Sequence, residues 1–246
     1  ALANGKHVLC EKSITLNINE LNEAVLLSQK NNVILAEAMT IYHMPIYKEL
    51  NKIIADDKLG RLNLIQVNFG SYKDYDMSNR FFNRNLAGGA LLDIGVYSLS
   101  LIRWFFTESA NQILSQVKYA PTGVDEQVGI LLMNSSSEMA TVTLSLHSKQ
   151  PKRATISFDK AYIEIFEYPR GMQAAIIYTD DGHKEIIDAG DTNDALFYEI
   201  TDMEKAVNSS DPKEIEDLMH CQYTYDVMKI MSDIRTDWGM KYPEEE

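Results

Sequence analysis

His7-Val8-Leu9-Cys10-Glu11-Lys12, then a segment from Ile18 to Asn31, then a second apolar run from Val33 to Ala38, is the stretch whose reading decides the fold. Both short runs are continuously apolar, as strands are when a parallel sheet is covered by helices on both faces. Between them Leu21, Val25 and Leu26 recur at helical spacing. Asn17 or Asn19 can cap that helix, because a short polar side chain accepts from the free N–H groups of a first turn. Strand, helix and strand in this order are half of a doubly wound α/β domain. Ahead of them Ala1 to Gly5 reads as the last turn of a helix with Gly5 as its left-handed cap. Two strands alone leave open edges, so the missing neighbours are expected from an absent N-terminal stretch, another subunit or a rearranged packing. The first of these, a truncated chain, is the expectation carried forward.

After Tyr42 the pattern changes. Pro45, with Ile46, Leu50, Ile53 and Ile54 at helical spacing and Gly60 beyond, predicts a helix over 45–57. Strand-like segments follow at Leu62 to Phe69, Ile113 to Tyr119, Glu126 to Met133, Met139 to His147, Ala154 to Phe158, Ala161 to Phe166, Ala174 to Tyr178 and Lys184 to Ile187. Turn signals such as Asp181-Gly182 between them indicate a large, mostly antiparallel sheet. Helices covering it are expected at Gly89 to Phe106, Asp194 to Asn208 and Glu214 to Trp238.

The formal net charge is −13 over 246 residues, which argues against a nucleic-acid backbone or an anionic membrane as main partner, since either would be repelled. The densest basic stretch, Lys149 to Arg153, reads as a solvated turn, and no apolar run is long enough to span a bilayer. Cys10 and Cys221 lie far apart and match no metal spacing, so a reduced, cytoplasmic setting is expected. The five histidines form no recognisable metal site.

Chemistry concentrates in Gly88-Gly89-Ala90-Leu91-Leu92-Asp93-Ile94-Gly95-Val96-Tyr97. Asp93 and Tyr97, four apart, share one side of a helix whose other side carries Leu92, Val96, Leu99 and Ile102. Lys12 follows the carboxyl end of an apolar strand, where ligands bind in open α/β sheets, and an ammonium there would lower the pKa of a nearby phenol. The plainer alternative is an aspartate bonded to backbone, a tyrosine filling the core and a solvated lysine. Tyr72, Arg80 and Arg84, in the loop before the glycine pair, are candidates to hold substrate, and His43 follows the second strand. His147 and His183 read as ordinary strand and turn residues.

Together these blocks resemble the NAD(P)-dependent oxidoreductase family that includes glucose-fructose oxidoreductase, inositol dehydrogenase and dihydrodiol dehydrogenase. Gly5 to Lys12 is similar to the family's GKHVLCEKP, and Gly88 to Tyr97 to its GGALLDIGVY. Ala36-Glu37-Ala38 before Pro45, Leu59-Gly60-Arg61, Trp238-Gly239 and Tyr242-Pro243 add to the match. The resemblance implies that residues 1–41 are the C-terminal part of a dinucleotide-binding Rossmann domain, and residues 42–246 an α+β domain that binds substrate and forms homo-oligomers through its sheet. It implies Lys12, Asp93 and Tyr97 as catalytic residues, Glu11 and Lys12 at an NAD or NADP cofactor, and a sugar, polyol or related alcohol as substrate. Three departures stand out: the G-x-G-x-x-G fingerprint is absent, Ser13 replaces the proline after the lysine, and Tyr42 stands where many members have arginine. Weak or no cofactor binding, and inactivity alone, are expected of these 246 residues. The rival expectation is a non-catalytic regulatory or assembly protein that retains the fold.

Overall fold

Asn17, not Asn19, caps the first helix, its side-chain oxygen accepting from the N–H groups of Asn19 and Glu20. In the computed structural model, which describes residues 1–246, β1 (Val8–Glu11) and β2 (Leu35–Ala38) flank this helix, α1 (Ile18–Lys30). The two strands pair in parallel, Val8 opposite Leu35 and Glu11 opposite Ala38. Before them Leu2–Asn4 makes one tight turn closed by Gly5 at φ 66. Then come α2 (Thr40–His43), α3 (Pro45–Ala55), β3 (Leu62–Gly70) and α4 (Val96–Phe105). The strands β4 (Gln112–Tyr119), β5 (Asp125–Met133), β6 (Met139–Ser145), β7 (Gln150–Phe158), β8 (Ala161–Phe166), β9 (Gln173–Tyr178) and β10 (Lys184–Asp188) follow, and α5 (Ala195–Asn208), α6 (Pro212–Met219) and α7 (Cys221–Asp237) end the chain.

The large sheet has eight strands in the order β10-β9-β8-β7-β3-β6-β5-β4. Every neighbouring pair is antiparallel except β3 and β6, which run parallel at its centre. Alternation along the strands sends Ile65, Val67, Val142, Leu144, Ile130, Ile156 and Ile163 to one face, where they are buried. Against that face lies α4, buried on almost every side, as an all-round apolar helix must be. The other face carries Leu64, Thr141, Leu131 and Leu114 across paired strands, half-buried or exposed.

Three sequence expectations are corrected. The helix expected from Glu214 to Trp238 breaks at His220, which adopts φ 51 and separates α6 from α7. Its ring is held between Trp104 and Tyr223, centroids 4.9 and 5.3 Å away, so tertiary packing fixes a break that no glycine or proline announces. The basic stretch Lys149 to Arg153 is not a turn but enters β7: the Lys152 ammonium lies over the Phe69 ring and the Arg153 guanidinium over the Phe166 ring. Finally, Arg84–Phe105 is long and apolar enough by composition to cross a bilayer, although no such run was expected; 72% of its most apolar window is buried inside the fold.

The last helices close over the first strands. Ala36 of β2 packs with Ala206 of α5 and Met219 of α6, joined by Leu9 and Ile34. Arg235 of α7 forks onto Glu245, which also accepts from the Asn17 amide. Packing therefore crosses the division at residue 41.

Candidate functional site

The site begins where β1 ends. Lys12 leaves the strand and its ammonium donates to the Asp93 carbonyl at 2.5 Å and to Asp93 Oδ1 at 3.2 Å. The same ammonium lies 4.7 Å from the centroid of the Tyr97 ring. The structure thus brings Lys12, Asp93 and Tyr97 together, through a local geometry that simple helical spacing does not give. Residues Leu91–Gly95 form a π turn, with the Val96 N–H bonded to the Leu91 carbonyl five residues back. Such single wide turns inside helices are frequent at functional sites. Ser13, in the position of the family's proline, donates its hydroxyl to the Leu92 carbonyl at 2.9 Å, so two successive carbonyls of the π turn are held by two successive side chains of the 12–13 turn.

Below the π turn, Asp125 at the start of β5 is fully buried and accepts from the Leu91 N–H at 2.6 Å. Burial pushes its carboxyl up to about 7 against the lowering effect of that bond. Gly89, at φ +128, is the residue that lets this carboxyl approach: a Cβ there would lie 2.0 Å from Asp125 Oδ1. Gly89 is thus a packing requirement of the buried acid beneath it, and Gly88 of the Arg80 and Phe81 carbonyls, 2.7 and 2.8 Å from a Cβ built there.

On the other side of Lys12, Glu37 of β2 is 2% exposed. Its carboxylate accepts from the Ile14 N–H at 3.0 Å and from the Thr224 hydroxyl at 3.3 Å. It thereby fixes the backbone immediately after Lys12 and Ser13. Burial raises its pKa to about 7, offset in part by these bonds and by the Lys12 charge. A lone glutamate within a buried apolar strand was the signal in the sequence, and it was not read as a site residue.

The Tyr97 phenol is pushed up to about 12, first by burial and then by Glu11, with Arg170 acting in the opposite direction. The expectation that Lys12 lowers this phenol is therefore corrected: its ammonium stacks on the ring face. Glu11 is exposed, and its carboxylate accepts from the Lys12 N–H. Arg80 reaches the site, donating to Asp93 Oδ1 at 3.0 Å. Arg84 does not; it holds the Lys241 carbonyl and Glu246. Tyr72 stacks on His147 at 5.0 Å and lines a different cavity. His43 is buried against Asp202 at 3.1 Å, and Tyr42 is buried beside Trp104 and Tyr223, so neither lines the site. A cavity of about 190 Å³ opens between Lys12, Ser13, Thr15, Arg80, Phe81 and Asp93.

A nicotinamide cofactor fits this arrangement only in part. Lys12 and Tyr97 offer an ammonium and a phenol past the end of β1, but the loop between β1 and α1, Lys12 to Asn17, contains no glycine to bring backbone N–H groups onto a pyrophosphate.

Residues 47–164 match the family model described as the GFO/IDH/MocA C-terminal domain. Among curated relatives, trans-1,2-dihydrobenzene-1,2-diol dehydrogenase of Xenopus tropicalis is 31% identical over 165 residues, 67% of this chain and 49% of that protein. The chain thus spans about half the length of such relatives. The scyllo-inositol 2-dehydrogenase (NADP(+)) of Bacillus subtilis is 29% identical over 250 residues, 99% of this chain and 74% of that protein. A 3-ketoreductase from Actinomadura kijaniata, solved with NADP and TDP-benzene, superposes with a TM-score of 0.82 at 17% identity, covering 96% of this chain and 72% of that one. An aldose-aldose oxidoreductase from Caulobacter crescentus gives 0.73 at 21% identity, covering 93% and 72%. These last two likenesses concern the fold. Over residues 47–164 this chain is similar to the GFO/IDH/MocA C-terminal domain.

Proposed function

We propose that this chain serves in an NAD(P)-dependent oxidoreductase that moves a hydride between nicotinamide and a carbinol carbon of a sugar, polyol or related alcohol. The observation that carries the reading is the Lys12 ammonium seated between Asp93 Oδ1 and the Tyr97 ring. The names of the curated relatives, a diol dehydrogenase and an inositol dehydrogenase, agree with it. When bound, the cofactor supplies or takes the hydride; the chain's own groups handle alignment and the proton. Tyr97, a phenol that is protonated at neutral pH, donates its proton to the substrate oxygen when a carbonyl is reduced, and recovers it from solvent. Lys12 directs two of its three N–H bonds to Asp93, leaving one for the substrate oxygen. Asp93, gripped by both Lys12 and Arg80, sets the direction of that remaining bond.

In the complete protein, Lys12→Met and Tyr97→Phe are each expected to lower turnover by about 10²–10⁴-fold, the scale of lost general acid–base help, when sugars and polyols are assayed with both nicotinamides. Near-normal turnover in both variants rejects the mechanism. The open sheet face, with Leu114 exposed and Leu64 and Leu131 half-buried, supports assembly as a homo-oligomer.

A second reading has its own support. Lys12 and Ser13 together staple the strand end to the π turn, which is what a non-catalytic regulatory or assembly protein of this fold would also need. In that case Lys12→Met lowers the melting temperature and there is no turnover to lose.

A further inference from the structure

We propose that the cavity at the end of β3 and the start of β7 binds an anionic substituent of the substrate. This rests on the oxidoreductase reading for the word substrate, but the site itself does not. The cavity, about 730 Å³, is lined by Tyr72, Lys149, Lys152 and Glu167 along with backbone of Gly70 and Ser71. Cations gather here in a chain of net charge −13. Twelve of its 23 lysines and arginines sit in ion pairs. Of the eleven that do not, Lys149 and Lys152 line this cavity, while in adjoining segments Lys73 reaches over the Phe81 ring and Arg153 over the Phe166 ring. The backbone ties them into one neighbourhood, through Glu167 N–H to the Lys152 carbonyl, Lys73 N–H to the Leu146 carbonyl, and Arg153 paired with Phe166. Glu167, the one carboxylate in the lining, forms no ion pair with either lysine.

The cavity is joined to the proton-handling site by a row of rings. The Lys152 ammonium lies 5.2 Å from the Phe69 centroid, and Phe69 lies 6.2 Å from the Tyr97 ring on which the Lys12 ammonium rests. Lys152 is therefore only one buried ring removed from Tyr97, a separation that a phosphorylated sugar can bridge. The positive charge of Arg170 also acts on the Tyr97 phenol. Lys152 is held in place by the aromatic face below it, and an anion there receives a charge-assisted hydrogen bond from a preset donor. Tyr72, 53% exposed and braced on His147, offers a flat wall for a ring next to the anion. A phosphate, a carboxylate and a diphosphate share this chemistry.

Calorimetric titration of the protein with glucose, glucose 6-phosphate, glucuronate and uridine diphosphate separates these sources. At least one anion is expected to bind about tenfold more tightly than glucose, and that gain is expected to vanish in the Lys149→Gln, Lys152→Gln double variant. Added salt weakens it as well. Lys160→Gln, at the opposite end of β7, is the control that leaves binding unchanged. Anions that bind no better than glucose, or that bind the double variant as well as the original, overturn the proposal. Because no cofactor or turnover enters the measurement, failure here leaves the hydride-transfer reading standing, and loss of that reading leaves this site standing.

Discussion

Glu37 sets the behaviour of the site at the scale of one residue. Around it stand Cys10, Glu11 and Lys12 from β1 and its end, Tyr42 from α2 and Thr224 from α7. With its pKa raised from 4.5 to about 7 by burial, the folded chain keeps this proton after the unfolded chain has released it. The stability that the protonated carboxyl contributes is therefore full below about pH 4.5 and is lost as pH rises through about 7. Glu37→Gln, which cannot ionise, is expected to flatten the fall in unfolding free energy over that window by on the order of 3 kcal/mol. Urea denaturation at a series of pH values checks this, and parallel curves for the two proteins reject it. Ala36-Glu37-Ala38 was legible as part of a family resemblance, but its role was not: the partner, Ile14 N–H, is a backbone group across a turn, and no side-chain pattern records it. The same holds for Asp125, whose partner is the Leu91 N–H.

At the scale of elements, the strands were legible because their side chains alternate between a buried and an open face. Ala161–Phe166 matches the expected segment residue for residue. The helix after Gly88-Gly89 was legible in extent but not in pitch, since a π turn has no composition of its own and arises here from bonds to Lys12 and Ser13. Arg84 was misplaced because a loop residue's partner is set by tertiary packing, in this case the end of the chain. Gly89 carries the clearest prediction for this element. Gly89→Ala forces a Cβ to 2.0 Å from Asp125 Oδ1 at a φ of +128, and is expected to cost on the order of 3 kcal/mol or more. It should also displace Asp93 from Lys12. A melting temperature within a degree or two of the original would show that the close approach is not required.

At the scale of the molecule, the open face of the eight-stranded sheet is the feature awaiting a partner. Leu64, Thr141, Leu131 and Leu114 lie in adjoining strands on that face, and we propose that a second copy covers them. Leu64→Glu with Leu131→Glu is expected to convert a dimer or larger assembly to monomer in analytical ultracentrifugation without altering the circular dichroism. A monomer before substitution removes the proposal. The closure of α5 and α6 over β1 and β2 bears on how the chain is born. Leu9, Ile34 and Ala36 are made well before Ala206 and Met219, which cover them. At roughly 5–20 residues per second, the ribosome holds that apolar surface uncovered for many seconds, an interval in which a nascent-chain chaperone has its opening.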